Sequence, residues 1–527
     1  MIQINGSTIV HTKDLRTILK DFSCTLNAGD KAVIIGEEGN GKSTLLKWIY
    51  DPELISDYTE SSGTRSVSSE LMAYLPQMLS NKDAELSVCE YFSDSQAFSE
   101  ASPKELTKLA SKFGLDSGFF YSAQRMGELS GGEKIKAQLM RLLLAEPTAL
   151  LLDEPSNDID IQTLEVLEQL INSFKGIVLF ISHDETLIER TANMVIHLEQ
   201  VHRKQQCRHT VARVPYKQYA KDRLRAFEKQ AQQAQSDLRE KRIRDEKYRR
   251  ILQSVDHAQR SINRAGKDMP DPMQAARNLK DKMHTVKSLK KRFEREDARM
   301  TQMPVMESAI DLTLGENISA LPASKVLLDL KLDKLTTPDG QLLSKNIRLM
   351  FRGQDKICIT GRNGAGKTTL LKIIAGLLLE RKDIRAEYMP QNYADLLDME
   401  MDPVENICRS LSGAGNNYRN WDPALRTKAR TFLGALRFTT AEMEHPTKEL
   451  SGGQQAKLFL LRMNLSGADV LILDEPTRNL SPLSGPVMRG VLKDFPGAII
   501  SVSHDRKYIE DVCPTVLELT AEGLRRL

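Results

Sequence analysis

The sequence predicts an α/β fold class: two phosphate-loop domains joined by a long α-helical hairpin. Three observations predict it. Five short motifs occur twice in the same order. Each glycine-rich motif lies between an apolar strand-like run and a helix-like run. The stretch between the two motif sets is basic, with apolar residues at helical spacing.

The first motif pair is GEEGNGKS at Gly36–Ser43 and GRNGAGKT at Gly361–Thr368. YLPQ ending at Gln77 recurs as YMPQ ending at Gln391. ELSGGE at Glu128–Glu133, LLLDEP at Leu150–Pro155 and ISHD at Ile181–Asp184 recur as ELSGGQ, LILDEP and VSHD, each displaced by 321 residues. A lone GxxxxGK[ST], LSGG or strand-terminal His is weak; the ordered set, present twice, is specific.

Each motif has a physical task. Glycines let the loop backbone curl so that its N–H groups cradle phosphate, and the helix N-terminus adds partial positive charge. Gly36, Gly39, Gly41, Lys42, Ser43 and Thr44 form the first candidate cradle; Gly361, Gly364, Gly366, Lys367, Thr368 and Thr369 form the second. The lysines reach the β- and γ-phosphates, and Ser43 and Thr368 suit Mg²⁺. Asp153 and Asp474 end apolar strands, where ligands bind open α/β sheets, and are further candidate metal residues. Glu154 and Glu475 follow them as candidate general bases for an attacking water. Gln77 and Gln391 offer amides to the metal and the water, and His183 and His504 are placed to meet the γ-phosphate. The expected chemistry is ATP hydrolysis with Mg²⁺.

The linker reads as two helices. Leu224, Phe227, Ala231, Ala234 and Leu238 form a 3-4-3-4 stripe that resumes at Tyr248, Leu252 and Val255. A second stripe holds Ala276, Leu279, Met283, Val286, Leu289 and Phe293, with Gly266, Pro270 and Pro272 breaking the chain between. The first helix is expected over about Tyr216–Val255, an arm of roughly 50–60 Å. The expected outer faces of the two helices carry Arg242, Arg244, Lys247, Arg249, Arg250, Arg277, Lys280, Lys287, Lys290, Lys291 and Arg292. Arg203–Met300 holds 28 basic and 13 acidic residues, whereas the remainder carries a net −12 within a chain total of +3. A merely solvated coil tends to balance its charges. A membrane-surface helix wants a broad Trp, Phe and Leu face, which this stretch lacks. Lys and Arg on a helical rod with almost no aromatics suit phosphate contacts to structured RNA. The domain boundaries are thus 1–202, 203–305 with its tip about 256–273, and 306–527.

Composition limits the alternatives. No apolar run approaches the ~18 residues of a membrane span. The start, MIQINGSTIVHTK, lacks a basic region followed by an apolar stretch, so no secretory signal is expected. Six scattered cysteines without a CxxC pair argue against a zinc or disulfide framework and fit a reducing, cytoplasmic setting.

LSGG separates these motifs from other P-loop ATPases, and the chain resembles the ATP-binding cassette (ABC) family. The resemblance implies cassettes paired head to tail. One site would join Gly36–Ser43, Gln77, Asp153, Glu154 and His183 to Ser451, Gly452 and Gly453. The other would join Gly361–Thr368, Gln391, Asp474, Glu475 and His504 to Ser130, Gly131 and Gly132. Two departures stand out. An early adenine-stacking aromatic is replaced by His11 in the first cassette and by LTTPDG in the second. After the catalytic Glu, SNDID closes on Asp160 in the first half, but TRNLSPLSGP puts Ser481 at that place in the second. The two sites are therefore expected to be unequal.

Two cassettes around a basic hairpin, with PxxAARxxxxK and KSLKKR between Pro272 and Arg292, resemble the ABC-F translation factors over nearly the whole chain. That resemblance implies a monomer whose cassettes pair within the chain. It implies binding at the ribosomal exit site in the ATP-closed form and release on hydrolysis. The hairpin would point toward P-site tRNA and the 23S rRNA of the peptidyl-transferase centre. Arg260, Arg264, Lys267, Arg277, Lys280 and Lys287 are the candidate RNA-binding residues. TRNLSPLS resembles the antibiotic-resistance branch, which acts against pleuromutilins, lincosamides and streptogramin A. Alternatives are a housekeeping ABC-F translation factor, a cytosolic ATPase subunit of a membrane transporter and a DNA-metabolism ATPase. The transporter subunit leaves the basic hairpin unexplained. The DNA-metabolism enzymes place their coils inside a cassette or carry zinc cysteines.

Overall fold

The computed structural model describes the chain except residues 14, 68–69, 158, 202–205, 266–271, 298–299, 302–320, 338–339, 413–422, 437 and 479, and describes backbone alone at 258, 261–265, 272–273, 275–276, 278–279 and 411–412. Contacts divide it into two units, Met1–Lys217 with Glu307–Leu527, and Gln218–Met306.

The first half contributes β1 (Ile2–His11), β2 (Thr17–Leu26), β3 (Lys31–Ile35), β4 (Thr59–Ser66), β5 (Met72–Leu75), β6 (Ala149–Asp153), β7 (Ile177–Ile181), β8 (Met194–Val201) and β9 (Gln206–Ala212). The second contributes β10 (Val326–Thr336), β11 (Leu342–Arg352), β12 (Lys356–Thr360), β13 (Ala386–Met389), β14 (Val470–Asp474), β15 (Ala498–Val502), β16 (Thr515–Thr520) and β17 (Gly523–Arg526). The duplication in sequence is a duplication in topology. One six-stranded sheet has the order β5-β6-β7-β3-β8-β9 and the other β13-β14-β15-β12-β16-β17. All neighbours are parallel except the last pair in each, which is antiparallel.

The apolar runs explain this choice. KAVII, ALLLD and IVLFI in β3, β6 and β7, and VLILD and AIISV in β14 and β15, are buried at every residue. Runs buried on both faces belong to parallel sheets covered on both sides. A smaller antiparallel sheet, β2-β1-β4 in the first half and β10-β11 in the second, packs its apolar face into the same core. Short helices between Asn81 and Lys112, and between Pro403 and Glu444, lead into the helices Gly131–Leu144 and Gly452–Ser466 that open on the LSGG motifs.

The second unit is helical. Its first helix spans Tyr216–Ala265 and its second Pro272–Asp297. The first helix does not stop at Val255. No glycine or proline intervenes before Gly266, so it continues to Ala265, and its 50 residues measure about 75 Å at the usual helical rise. The second helix has 26 residues and can cover only about half of the first. The apolar stripe is correspondingly divided. Val255 and Val286 are buried against Tyr248, whereas Leu224 and Leu238 are 51% and 43% exposed. Arg244 is not on the outer face. It stacks 5.0 Å from the Phe293 ring and pairs with Glu296 and Asp297 across the two helices.

Candidate functional site

Both phosphate loops leave the carboxyl end of a central strand, β3 or β12, where the strand order reverses. That crevice is where doubly wound sheets bind ligands. The following helices, Lys42–Tyr50 and Lys367–Leu379, start after Gly41 (φ 85°) and Gly366 (φ 92°). A Cβ would lie 2.0 Å from Ile18 at Gly41 and 2.7 Å from Leu343 at Gly366, so neither position admits a side chain. Lys42 Nζ donates to the carbonyls of Gly36 (2.9 Å) and Glu37 (3.0 Å). Lys367 Nζ donates to those of Gly361 and Arg362, both at 3.0 Å. Each ammonium is therefore held over the hollow of its own loop.

The hydroxyl–carboxylate pairs sit beside the lysines. Ser43 Oγ donates to Asp153 Oδ1 at 2.9 Å, and Thr368 Oγ1 to Asp474 Oδ1 at 3.4 Å. Burial pushes Asp153 up to about 6 against the pull of the Ser43 hydroxyl, and raises Asp474 in the same way. Asp474 Oδ2 is buried without a hydrogen-bond donor. A hydroxyl beside a carboxylate with an unsatisfied oxygen is a donor set that fits a hard divalent cation.

Glu154 and Glu475 both stand in the left-handed region, at φ 50° and 52°. Their N–H groups donate to the carbonyls of Ile181 (3.1 Å) and Val502 (2.9 Å) on the adjacent strands. Such backbone costs roughly 1–3 kcal/mol and aims the side chains out of the sheet edge. Their surroundings differ sharply. Burial would raise Glu154, but the hydrogen bond and charge of His183 outweigh it, with help from Lys42 and Asn157, and hold it at about 2. Gln77 Nε2 donates to its Oε2 at 3.0 Å, and His183 Nε2 is 3.3 Å from its Oε1. Burial pushes Glu475 up to about 8 against the His504 N–H at 3.2 Å, the Ser503 hydroxyl at 3.4 Å and the charge of Lys367. Burial also lowers His504 to about 4, and its Nε2 stays 3.8 Å from Glu475. One carboxylate is held charged and the other is driven toward its neutral form.

The cassettes meet head to tail within this unit. A cavity of about 680 Å³ is lined by Gly364, Gly366, Lys367, Thr368, Thr369, Gln391, Asp474, Glu475 and His504, together with Ser130 and Gly131 of the first cassette. A cavity of about 410 Å³ is lined by Gly39, Gly41, Lys42, Ser43, Thr44, Gln77 and Glu154, together with Ser451 of the second. Ser130 and Ser451 each cap their helix in a reciprocal capping box, with Glu133 and Gln454. Gly132 lies behind its cavity: a Cβ there would lie 2.9 Å from Thr163 Oγ1. His183 Nδ1 is 2.7 Å from the Leu480 carbonyl of the other cassette. Ion pairs also cross between the cassettes. Arg489 bonds Glu185 at 2.6 Å, Arg506 pairs with Glu168 and Asp184, and Lys507 lies 3.1 Å from Glu189.

Arg16, Tyr58 and Leu343 are lining residues that no sequence motif marks. His11 reaches the smaller cavity, but so do Arg16 and Tyr58, with the Tyr58 ring 6.4 Å from that of His11. Tyr58 lies after the phosphate loop in the chain, just before β4, whereas the expected stacking position precedes that loop. Leu343 lines the larger cavity with Thr337, and no Phe, Tyr or Trp is among its described lining residues. In the hairpin, Arg260, Arg277, Lys280 and Lys287 are exposed, and Arg260 pairs with Asp256 at 3.4 Å. The Arg264 side chain and Lys267 lie outside the described residues.

Residues 19–157 and 344–478, just over half of the chain, match the ABC transporter family, and the chain belongs to it. It is an ATPase of the ABC-F branch: paired cassettes around a helical insertion, with no described helix long and apolar enough to cross a membrane. Similar proteins include the ribosome protection protein VmlR of Bacillus subtilis, 28% identical over 97% of this chain and 85% of that one. The tylosin resistance ATP-binding protein TlrC of Streptomyces fradiae is 27% identical over 98% and 97%. The ATP-binding protein Uup of Escherichia coli is 25% identical over 94% and 76%. In fold, the chain is similar to the archaeal ribosome recycling factor aABCE1 solved with stalk protein aP1, at TM-score 0.58 and 15% identity over 99% and 90%.

Proposed function

We propose that this ATPase binds the bacterial ribosome at the tRNA exit site in its ATP-closed form. The basic hairpin then points toward P-site tRNA and the 23S rRNA around the peptidyl-transferase centre, and hydrolysis releases the protein. It acts in the cytoplasm as a monomer with no stable membrane partner. Mg²⁺ would accompany ATP and neutralise phosphate charge: Ser43 with Asp153, and Thr368 with Asp474, would hold it, with Gln77 and Gln391 as further candidate ligands. Glu154 and Glu475 take the proton of the attacking water, with His183 and His504 at the γ-phosphate. Ser130, Gly131 and Gly132, and Ser451, Gly452 and Gly453, close on the nucleotide held by the opposite loop. The observation that carries the ribosomal reading is the hairpin. Its exposed Arg277, Lys280 and Lys287 lie within a segment of excess positive charge, and a helical rod of that charge suits RNA phosphates.

The physiological role we assign is protection from drugs of the pleuromutilin, lincosamide and streptogramin A type. It is supported by the Ser481 departure and by the names of VmlR and TlrC. The test is cell-free translation inhibited by one drug of each class, with and without added protein. Recovery that disappears in a Lys42→Ala, Lys367→Ala double variant supports the role. No recovery with ribosome binding intact favours a housekeeping translation factor.

A further inference from the structure

The first phosphate loop carries two carboxylates where a loop that holds phosphates should avoid them. Glu37 and Glu38 occupy the places of Arg362 and Asn363 in the second loop. Both are committed to the opposite cassette. Glu37 Oε1 accepts from Ser481 Oγ at 2.7 Å and from Ser484 Oγ at 2.5 Å. Burial would raise Glu37, yet Lys457 and these hydroxyls hold its carboxyl below the usual range. Ser481 stands where the first cassette has Asp160, and an Asp there would face the Glu37 carboxylate. Two departures at distant points of the sequence thus explain each other.

Glu38 takes the more consequential contact. Its Oε2 accepts from the backbone N–H of Gly453 at 3.0 Å. Gly453 lies in the first turn of the helix Gly452–Ser466, whose early N–H groups have no partner within the helix. Ser451 already caps the Gln454 N–H, so the Gly453 N–H is a donor left to face the first phosphate loop. An anion there also gains from the helix dipole. In the second site the corresponding loop residue is the neutral Asn363, which lines the larger cavity with Ser130 and Gly131.

We infer that the first phosphate loop carries an internal competitor for ATP: Glu38 takes the signature N–H that the γ-phosphate needs, while Glu37, bonded to Ser481 and Ser484, holds the loop against the second cassette. Nucleotide completes the first composite site only by displacing Glu38. Competition from Glu38 raises the ATP concentration at which the first site closes, so the first site acts as a threshold. This inference rests on Gly36–Ser43 being a phosphate loop.

The test measures equilibrium binding of a fluorescent ATP analogue with Mg²⁺ to the full chain, one site at a time. Lys367→Ala isolates the first site and Lys42→Ala the second. A charge-assisted hydrogen bond sets the scale, so Glu38→Asn should tighten first-site binding by about tenfold and Glu38→Gln by less. Second-site binding should move less than twofold. First-site affinity unchanged or weakened in both variants, with parental melting temperatures, overturns the inference. No first-site binding in any variant while the second site binds removes the phosphate-loop assignment, and the inference falls with it.

Discussion

Replacing Glu154 or Glu475 by glutamine should move the stability of the nucleotide-free protein in opposite directions. Glu154 falls from 4.5 to about 2, a preference for the carboxylate of about 3 kcal/mol. Its side chain is only 11% exposed, so solvent screens little of this. A depressed value contributes stability that is present above 4.5 and is lost as pH falls toward 2. Glu154→Gln should therefore destabilise at pH 7 by an amount approaching about 3 kcal/mol. Glu475 rises from 4.5 to about 8, so the folded protein keeps a proton there that the unfolded chain has released. Its contribution is present below 4.5 and is lost as pH rises through 8. Glutamine stands in for the protonated form without that loss. Glu475→Gln should stabilise by up to about 3 kcal/mol at pH 7 and by less than about 1 kcal/mol at pH 5. In a thermal melt with EDTA and no nucleotide, each kcal/mol moves a domain of this size by about 2–4 °C. Shifts of the same sign in the two variants, or a Glu475→Gln gain that does not change with pH, would refute the reasoning.

Other outcomes follow from particular contacts. Arg489 is 7% exposed between Glu185 and Asp511, so Arg489→Met should cost about 3–5 kcal/mol by leaving buried charge unpaired, and Glu185→Gln in the same chain should recover part of the lost melting temperature. Tyr58→Ala should weaken ATP at the isolated first site by about tenfold, the scale of losing one base–aromatic stack, while leaving the second site unmoved in the same titration. Arg244→Ala removes a bridge and a ring stack between the hairpin helices and should cost about 1–2 kcal/mol; Arg292→Ala, 72% exposed, should cost under about 0.5 kcal/mol, as read by protease sensitivity of the hairpin.

The fold was legible because its determinants are local and duplicated. A parallel sheet writes itself as apolar runs such as LLLD and LILD, and the loops as glycines that tolerate no Cβ. The Gly453 and Ser451 pairing with the first loop was legible only through resemblance, since nothing local in LSGGQ points at a residue 415 positions away. What stayed hidden depends on three-dimensional neighbours. Tyr58 is an ordinary aromatic until β1 and β4 bring it beside His11. Arg244 looks like one more surface charge until the second helix presents Phe293, Glu296 and Asp297. The opposite settings of Glu154 and Glu475 arise because burial dominates at Glu475, whereas His183, Lys42 and Asn157 outweigh it at Glu154, a difference that the identical DEP and SHD motifs conceal.

An ATP-driven clamp whose output is ribosome binding can be tested by sedimentation of the Glu154→Gln, Glu475→Gln double variant with ribosomes and ATP. Losing the general base slows chemistry by about 10²–10⁴-fold, so the closed form should persist. Pelleting should depend on ATP, weaken steeply with salt and disappear when residues 218–306 are deleted, with ATP binding retained. ATP binding without pelleting would contradict it and return the chain to the reading of an ATPase subunit that serves another partner.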